Sequence, residues 1–217
     1  MADDTPLNPD YLITDEAELA ALFPPTHQLA LDKCMPALDA HSRAFIARAP
    51  FLCISTQSPD GLADVSPRGD PPGFVRALDD HTLLIPDRPG NNRLDTQRNI
   101  LANHAVGLLF MVPGFDETLR VNGTARLTRD PALLATMEVQ GRRPTTAIAV
   151  TVHEAFLHCA KAFRRSRLWD PETLQDRKDF PSLRAMIHDQ TKGRPADPAE
   201  LEKLDAELEE AYRRSMY

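Results

Sequence analysis

The chain has 217 residues, enough for one sizeable core. It is 42% hydrophobic and 26% charged, the composition of a soluble globular protein, and carries a formal net charge of −7. That charge excludes a general nucleic-acid binder, whose surface must be basic, and requires any phosphate site to be local, built against the overall field.

The first residues, Met1 to Pro6, are acidic and lack the charged-then-apolar order of a signal peptide. No apolar run approaches the roughly 20 residues of a membrane span, so no membrane partner is expected. Cys34, Cys53 and Cys159 are widely spaced and odd in number, which fits reduced thiols in a cytoplasmic protein. Thr14 with an acidic turn behind it opens a short helix that Pro24 and Pro25 stop. Leu29 to Ala49 reads as helix, divided in two by Pro36, and completes an N-terminal helical arm over 1–49.

From Phe51 the text changes to strands. Phe51–Gln57 and Ala63–Pro67 flank the turn Ser58-Pro-Asp-Gly61 and predict a hairpin. Phe74–Leu78 and Thr82–Pro86 make a second pair, and Asn92–Asn103 a helix. Ala105–Val112 and Leu119–Thr128 are strands, the latter with Gly123 at a bulge. Pro131–Val139 reads as a short helix and Ala147–Cys159 as a long last strand. Closely spaced strands with few helices between them predict an antiparallel barrel over 50–160. The region 161–217 turns charged and helical, and Leu201, Leu204, Leu208 and Tyr212 form a stripe that packs on the body or on a partner chain. The whole chain reads as a single domain.

Two segments carry chemistry. Asp87-Arg-Pro-Gly-Asn-Asn-Arg93 places Arg88, Asn91, Asn92 and Arg93 at a helix start. Cations are disfavoured there by the helix dipole unless an anion is also bound, so the segment reads as a phosphate receptor. The alternative is a surface turn with an Asn cap. In Val65-Ser-Pro-Arg-Gly69, Pro67 and Gly69 leave backbone groups free beside that receptor. A flat ring joined to the phosphate fits along such a strand, as in flavin mononucleotide (FMN). Arg68 then faces substrate; its plainer role is an ion pair with Asp70. No metal is expected, since His153 and His158 are five apart and a zinc-protease helix needs four. No nucleophile elbow, Gly-x-Gly-x-x-Gly fingerprint or Walker loop is present.

Ser-Pro-Arg-Gly-Asp70, Asp-Arg-Pro-Gly-Asn91 and the late Cys159-Ala-Lys-Ala…Arg165-Ser…Leu-Trp169, in this order, resemble the pyridoxamine 5'-phosphate oxidase superfamily over roughly Phe45 to Trp169. The resemblance implies a mainly β, split β-barrel fold with peripheral helices and a homodimer with FMN at its interface. It places Val65, Ser66, Pro67, Arg68 and Gly69 along the ring. Asp87, Arg88, Asn91, Asn92 and Arg93 fall at the phosphate and ribityl chain. Lys161, Arg165, Ser166 and Trp169 would approach the flavin from the other subunit. The implied function is flavin-mediated hydride transfer on a small substrate, or else a non-catalytic flavin- or haem-binding module. The Arg- and His-rich C-terminal segment of the vitamin B6 oxidases has no counterpart here, which argues against their substrate.

Overall fold

The computed structural model describes residues 6–193, 195 and 197–217. They fall into two compact units, one ending at Cys34 and one beginning at Met35. In the first, Asp15 caps α1 (Glu16–Ala21) by accepting from the Glu18 amide at 2.8 Å, and His27 caps α2 (Gln28–Asp32). The division of the Leu29–Ala49 text at Pro36 is real, since the next helix, α3 (Ala40–Ile46), starts only at Ala40 and belongs to the second unit. Asp39 caps it through the Ser42 amide at 2.7 Å, and that bond holds the Asp39 carboxyl below the ordinary carboxylate range.

The second unit continues with β1 (Phe51–Gln57), β2 (Ala63–Gly69), β3 (Arg76–Ala77), β4 (Thr82–Pro86) and α4 (Asp95–Ala102). Next come β5 (Ala105–Met111), β6 (Thr118–Thr128), α5 (Pro131–Ala135) and β7 (Ala147–His158). The chain then forms α6 (Lys161–Ser166), α7 (Leu183–Thr191) and α8 (Pro198–Ser215). The strands make one antiparallel sheet in the order β2-β1-β5-β6-β7-β4-β3. The fold is thus mainly β with peripheral helices. Among the described residues the edge strands β2 and β3 do not pair, so the hydrogen-bonded ladder does not close into a barrel.

Period-2 alternation decides which face is buried. Leu52 and Ile54, Leu108 and Phe110, Leu119 and Val121, and Val150 and Val152 all point inward and lose nearly all contact with water. Each such side chain contributes about 2 kcal/mol. Phe45 and Ile46 of α3 and Ile100 of α4 close over the same core. The Phe74–Leu78 text yields only the two-residue β3, because Phe74 and Val75 are spent on the core rather than on a ladder. Helix α4 starts three residues later than the text predicts, since Asn92 and Leu94 adopt left-handed φ of 56° and 59°. Helix α8 packs on α7 with Leu201, Leu204 and Leu208 half-buried. No helix among the described residues is long and apolar enough to cross a membrane.

The bulge on β6 sits between Asn122 and Gly123, where the register against β7 shifts. A Cβ on Gly123 would collide with the Thr151 carbonyl oxygen, a backbone atom fixed by the ladder. Gly123→Ala is therefore expected to destabilise the protein by about 3 kcal/mol in urea unfolding. Gly90→Ala, whose Cβ meets nothing within 4 Å, is expected to change stability by less than about 0.5 kcal/mol.

Candidate functional site

Strand β2 is an edge strand with an unusual inward face. Its register sets Asp64 opposite Thr56, Ser66 opposite Ile54 and Arg68 opposite Leu52, and paired residues share a face. Three polar side chains therefore stand where a core strand carries apolar ones. The connection between β4 and α4 covers them, and between the two lies a cavity of about 590 Å³. That volume is within the range of roughly 300–1,000 Å³ usual for small-molecule sites.

The sequence-predicted residues Val65, Ser66, Pro67, Arg68 and Gly69 form one wall, and Asp87, Arg88, Asn91, Asn92 and Arg93 form the other. Lys161, Arg165, Ser166 and Trp169 do not line this cavity. Trp169 instead donates from its indole nitrogen to the Phe115 carbonyl at 2.7 Å and packs on Phe163, while Arg164 pairs with Asp116 at 3.0 Å. These contacts tie the end of α6 to the β5–β6 turn.

The wall residues are held by crossed ion pairs. Arg68 Nη1 lies 3.1 Å from Asp87 Oδ1, and both side chains are mostly buried. Asp87 also accepts from Gln97 Nε2 at 2.7 Å and from Thr146 Oγ1 at 3.4 Å, while its own amide donates to the Thr146 carbonyl. Arg68 thus pairs with Asp87, not with its near neighbour Asp70. Arg68 Nε is buried and has no hydrogen-bond partner among the described residues.

Asp70 takes Arg88 instead. Arg88 Nε donates to Asp70 Oδ2 at 2.6 Å, and the Asp70 side chain is only 1% exposed. The other oxygen, Oδ1, accepts from the Tyr217 hydroxyl at 2.8 Å. This contact keeps the Tyr217 phenol protonated to higher pH than usual, chiefly through the bond to Asp70. Arg93 differs from both other arginines. It is 74% exposed and its pair with Asp95 lies at the surface, with the carboxylate holding the guanidinium above its ordinary pKa.

Helix α4 meets the cavity without a side-chain cap, because Leu94 at the N-cap position makes none. The first backbone bond of the helix is from Arg98 to Leu94, so the amides of the first turn are open to an anion. Below them, Asn99 donates to Thr56 at 3.0 Å and to Asp64 at 3.3 Å, fixing α4 on β1 and β2. Asp70, Gln97, Thr146 and Tyr217 were missed in the sequence. Asp70 ends the Ser-Pro-Arg-Gly-Asp motif, where the sequence offers it only as a partner for Arg68, and no local signal marks Tyr217 as its partner.

The geometry is that of an antiparallel sheet with an arginine-lined cleft between its edge strand and a helix start that has no side-chain cap. The chain belongs to the pyridoxamine 5'-phosphate oxidase family, whose model matches residues 38–159, more than half of the 217. No curated protein matches it in sequence. Among solved structures, HupZ of Group A Streptococcus is 19% identical, with 55% of this chain covering 93% of that one at a TM-score of 0.46. An FMN-binding protein of Syntrophomonas wolfei is 9% identical, with 54% covering 83% at a TM-score of 0.43. A Clostridium acetobutylicum protein related to general stress protein 26, of the pyridoxinephosphate oxidase family, is 14% identical, with 54% covering 85% at 0.40. Likenesses at this level carry no functional information.

The Arg68–Asp87 pair gives a direct test of this wiring. Asp87→Ala is expected to cost about 2 kcal/mol in chemical denaturation, below the ~3–5 kcal/mol of a fully buried pair because both partners keep some water. Arg68→Met added to that variant is expected to recover at least about 1 kcal/mol, and with the Arg68→Met single variant the set closes a double-mutant cycle.

Proposed function

We propose that the cavity binds FMN and that the protein is a flavin-dependent oxidoreductase acting on a small substrate. The observation that carries this reading is the meeting, in one cavity, of an uncapped helix start, Arg88 and Arg93 with a strand whose inward side chains are polar. The first two suit a phosphate monoester and the strand suits a planar heterocycle. The orphaned Nε of Arg68 supplies a donor for a ring carbonyl or for a substrate anion. When bound, the flavin supplies two-electron hydride chemistry, and the protein's part is binding, orientation and charge.

Arg88 is held by Asp70 through Nε, which leaves its two terminal nitrogens for the phosphate. Arg93 is exchangeable. Its pair with Asp95 is solvent-exposed and screened, and a dianion competes with it easily. Asp87 keeps Arg68 at the strand side, so that Arg68 meets the ring and not the phosphate. The lining favours flavin over haem. A haem iron takes His, Cys, Met or Tyr as its axial ligand, and among the described residues none of these lines the cavity.

We further infer a homodimer with one cavity at each end of the interface. The edge position of β2, with Val65 63% exposed, supports it. In such a dimer Lys161, Arg165, Ser166 and Trp169, which lie outside the cavity of their own chain, would complete that of the partner.

The freshly purified protein, or protein given FMN, is expected to show paired flavin absorption bands that bleach with dithionite. Arg88→Ala/Arg93→Ala is expected to weaken FMN binding at least about 100-fold, as for two charge-assisted contacts of ~1.5 kcal/mol each. A colourless protein that ignores FMN would overturn the reading. Light scattering at micromolar concentration is expected to give twice the 24.2 kDa chain mass, and a monomer mass would remove the interface model.

A further inference from the structure

Tyr217 lies 147 residues from Asp70 in sequence, yet three contacts hold it beside the cavity. Its hydroxyl donates to Asp70 Oδ1 at 2.8 Å, its ring lies 5.7 Å from the Arg88 guanidinium carbon, and its backbone oxygen accepts from Arg142. The ring contact is within cation–π range. Asp70 is the critical member. Its side chain is 1% exposed, so both oxygens need donors from the protein. Arg88 Nε serves one and the Tyr217 hydroxyl the other.

We propose that Tyr217 is a positioning residue for the anion site: it completes the Asp70 clamp that aims Arg88 at the ligand phosphate. Arg88 has five donors on a flexible stem. With Nε fixed by Asp70 and one side of the guanidinium set against the Tyr217 ring, the terminal nitrogens keep one direction. Without the hydroxyl, Asp70 Oδ1 is buried and unpaired. The carboxylate then rotates to claim a terminal nitrogen of Arg88, the same atom the phosphate needs. The charge of the cavity is unchanged by this, but its preorganisation is lost. The consequence is specific to the phosphate end of the ligand. Tyr217 lies two residues beyond the end of α8, so the C-terminal segment reaches the site through one aromatic side chain.

This inference rests on the FMN reading, and one titration separates the two. FMN and riboflavin, which share the ring and differ by the phosphate, are titrated by fluorescence into flavin-free wild type, Tyr217→Phe and Asp70→Asn. Wild type is expected to bind FMN well above riboflavin. Tyr217→Phe keeps the ring and is expected to weaken FMN about tenfold while leaving riboflavin unchanged, so the ratio of the two affinities falls about tenfold. Asp70→Asn is expected to lower the same ratio. Thermal melts of the flavin-free variants control for folding. Wild type that binds neither flavin overturns the FMN reading and this inference with it. Wild type that binds FMN beside a Tyr217→Phe with the same ratio overturns the inference alone, as does an equal loss of both ligands, which marks a merely structural role.

Discussion

The constraint that organises this molecule is the polar inward face of an edge strand. β1 sets the register, and the register puts Asp64, Ser66 and Arg68 on the side of the sheet that holds Ile54 and Leu52. Those groups need partners or water, since burying them bare costs about 1–3 kcal/mol each. The β4–α4 connection answers by bringing Asp87 to Arg68, and α4 itself brings Asn99 to Asp64. The cavity is what remains between a strand that cannot be covered by apolar packing and a loop that covers it by hydrogen bonds. Its position follows from β2 having a neighbour on one side only.

Within that cavity the three arginines are not equivalent, and burial separates them. Arg68 and Arg88 are 17% and 15% exposed and each is tied to a carboxylate that is itself mostly or wholly buried. Removing one member of such a pair leaves an uncompensated charge. Arg93 is held only by a surface carboxylate and gives up little by leaving it. In the proposed FMN site, the two fixed cations would orient the ligand and the exchangeable one would close on it. In a chain of net charge −7, these local pairs also keep the cleft from presenting a broad positive surface.

Strands β1, β4, β5, β6 and β7 were legible because their apolar residues repeat at period 2 or run continuously. The bulge was legible because Gly123 interrupts such a run. Both walls of the cavity were legible as motifs, since Pro67, Gly69 and the Arg88–Arg93 loop are local features. What joins them was not. The neighbours Arg68 and Asp70 invite a local pair, but they lie at the end of β2 and just beyond it, and each finds its partner in the β4–α4 connection, at Asp87 and Arg88. Tyr217 carries no periodic or motif signal toward a residue in the first third of the chain. The start of α4 was misplaced for a related reason, as Leu94 has no local preference for the left-handed region it occupies.

That residue shows how far the tertiary network overrides the chain. A left-handed leucine costs about 1–2 kcal/mol, and an Asn or Gly there would avoid most of it. It persists because α4 is fixed from three sides. Asn99 binds Thr56 and Asp64, Gln97 binds Asp87, and Ile100 is sealed in the core. With the helix pinned and Pro86 fixed in the ladder against Ala147, the loop between them has one way to arrive. The conformation it takes leaves the first turn of α4 without a side-chain cap. A helix end left open beside two anchored arginines is stable only in water or against an anion, and the geometry that strains Leu94 is the same geometry that keeps it open.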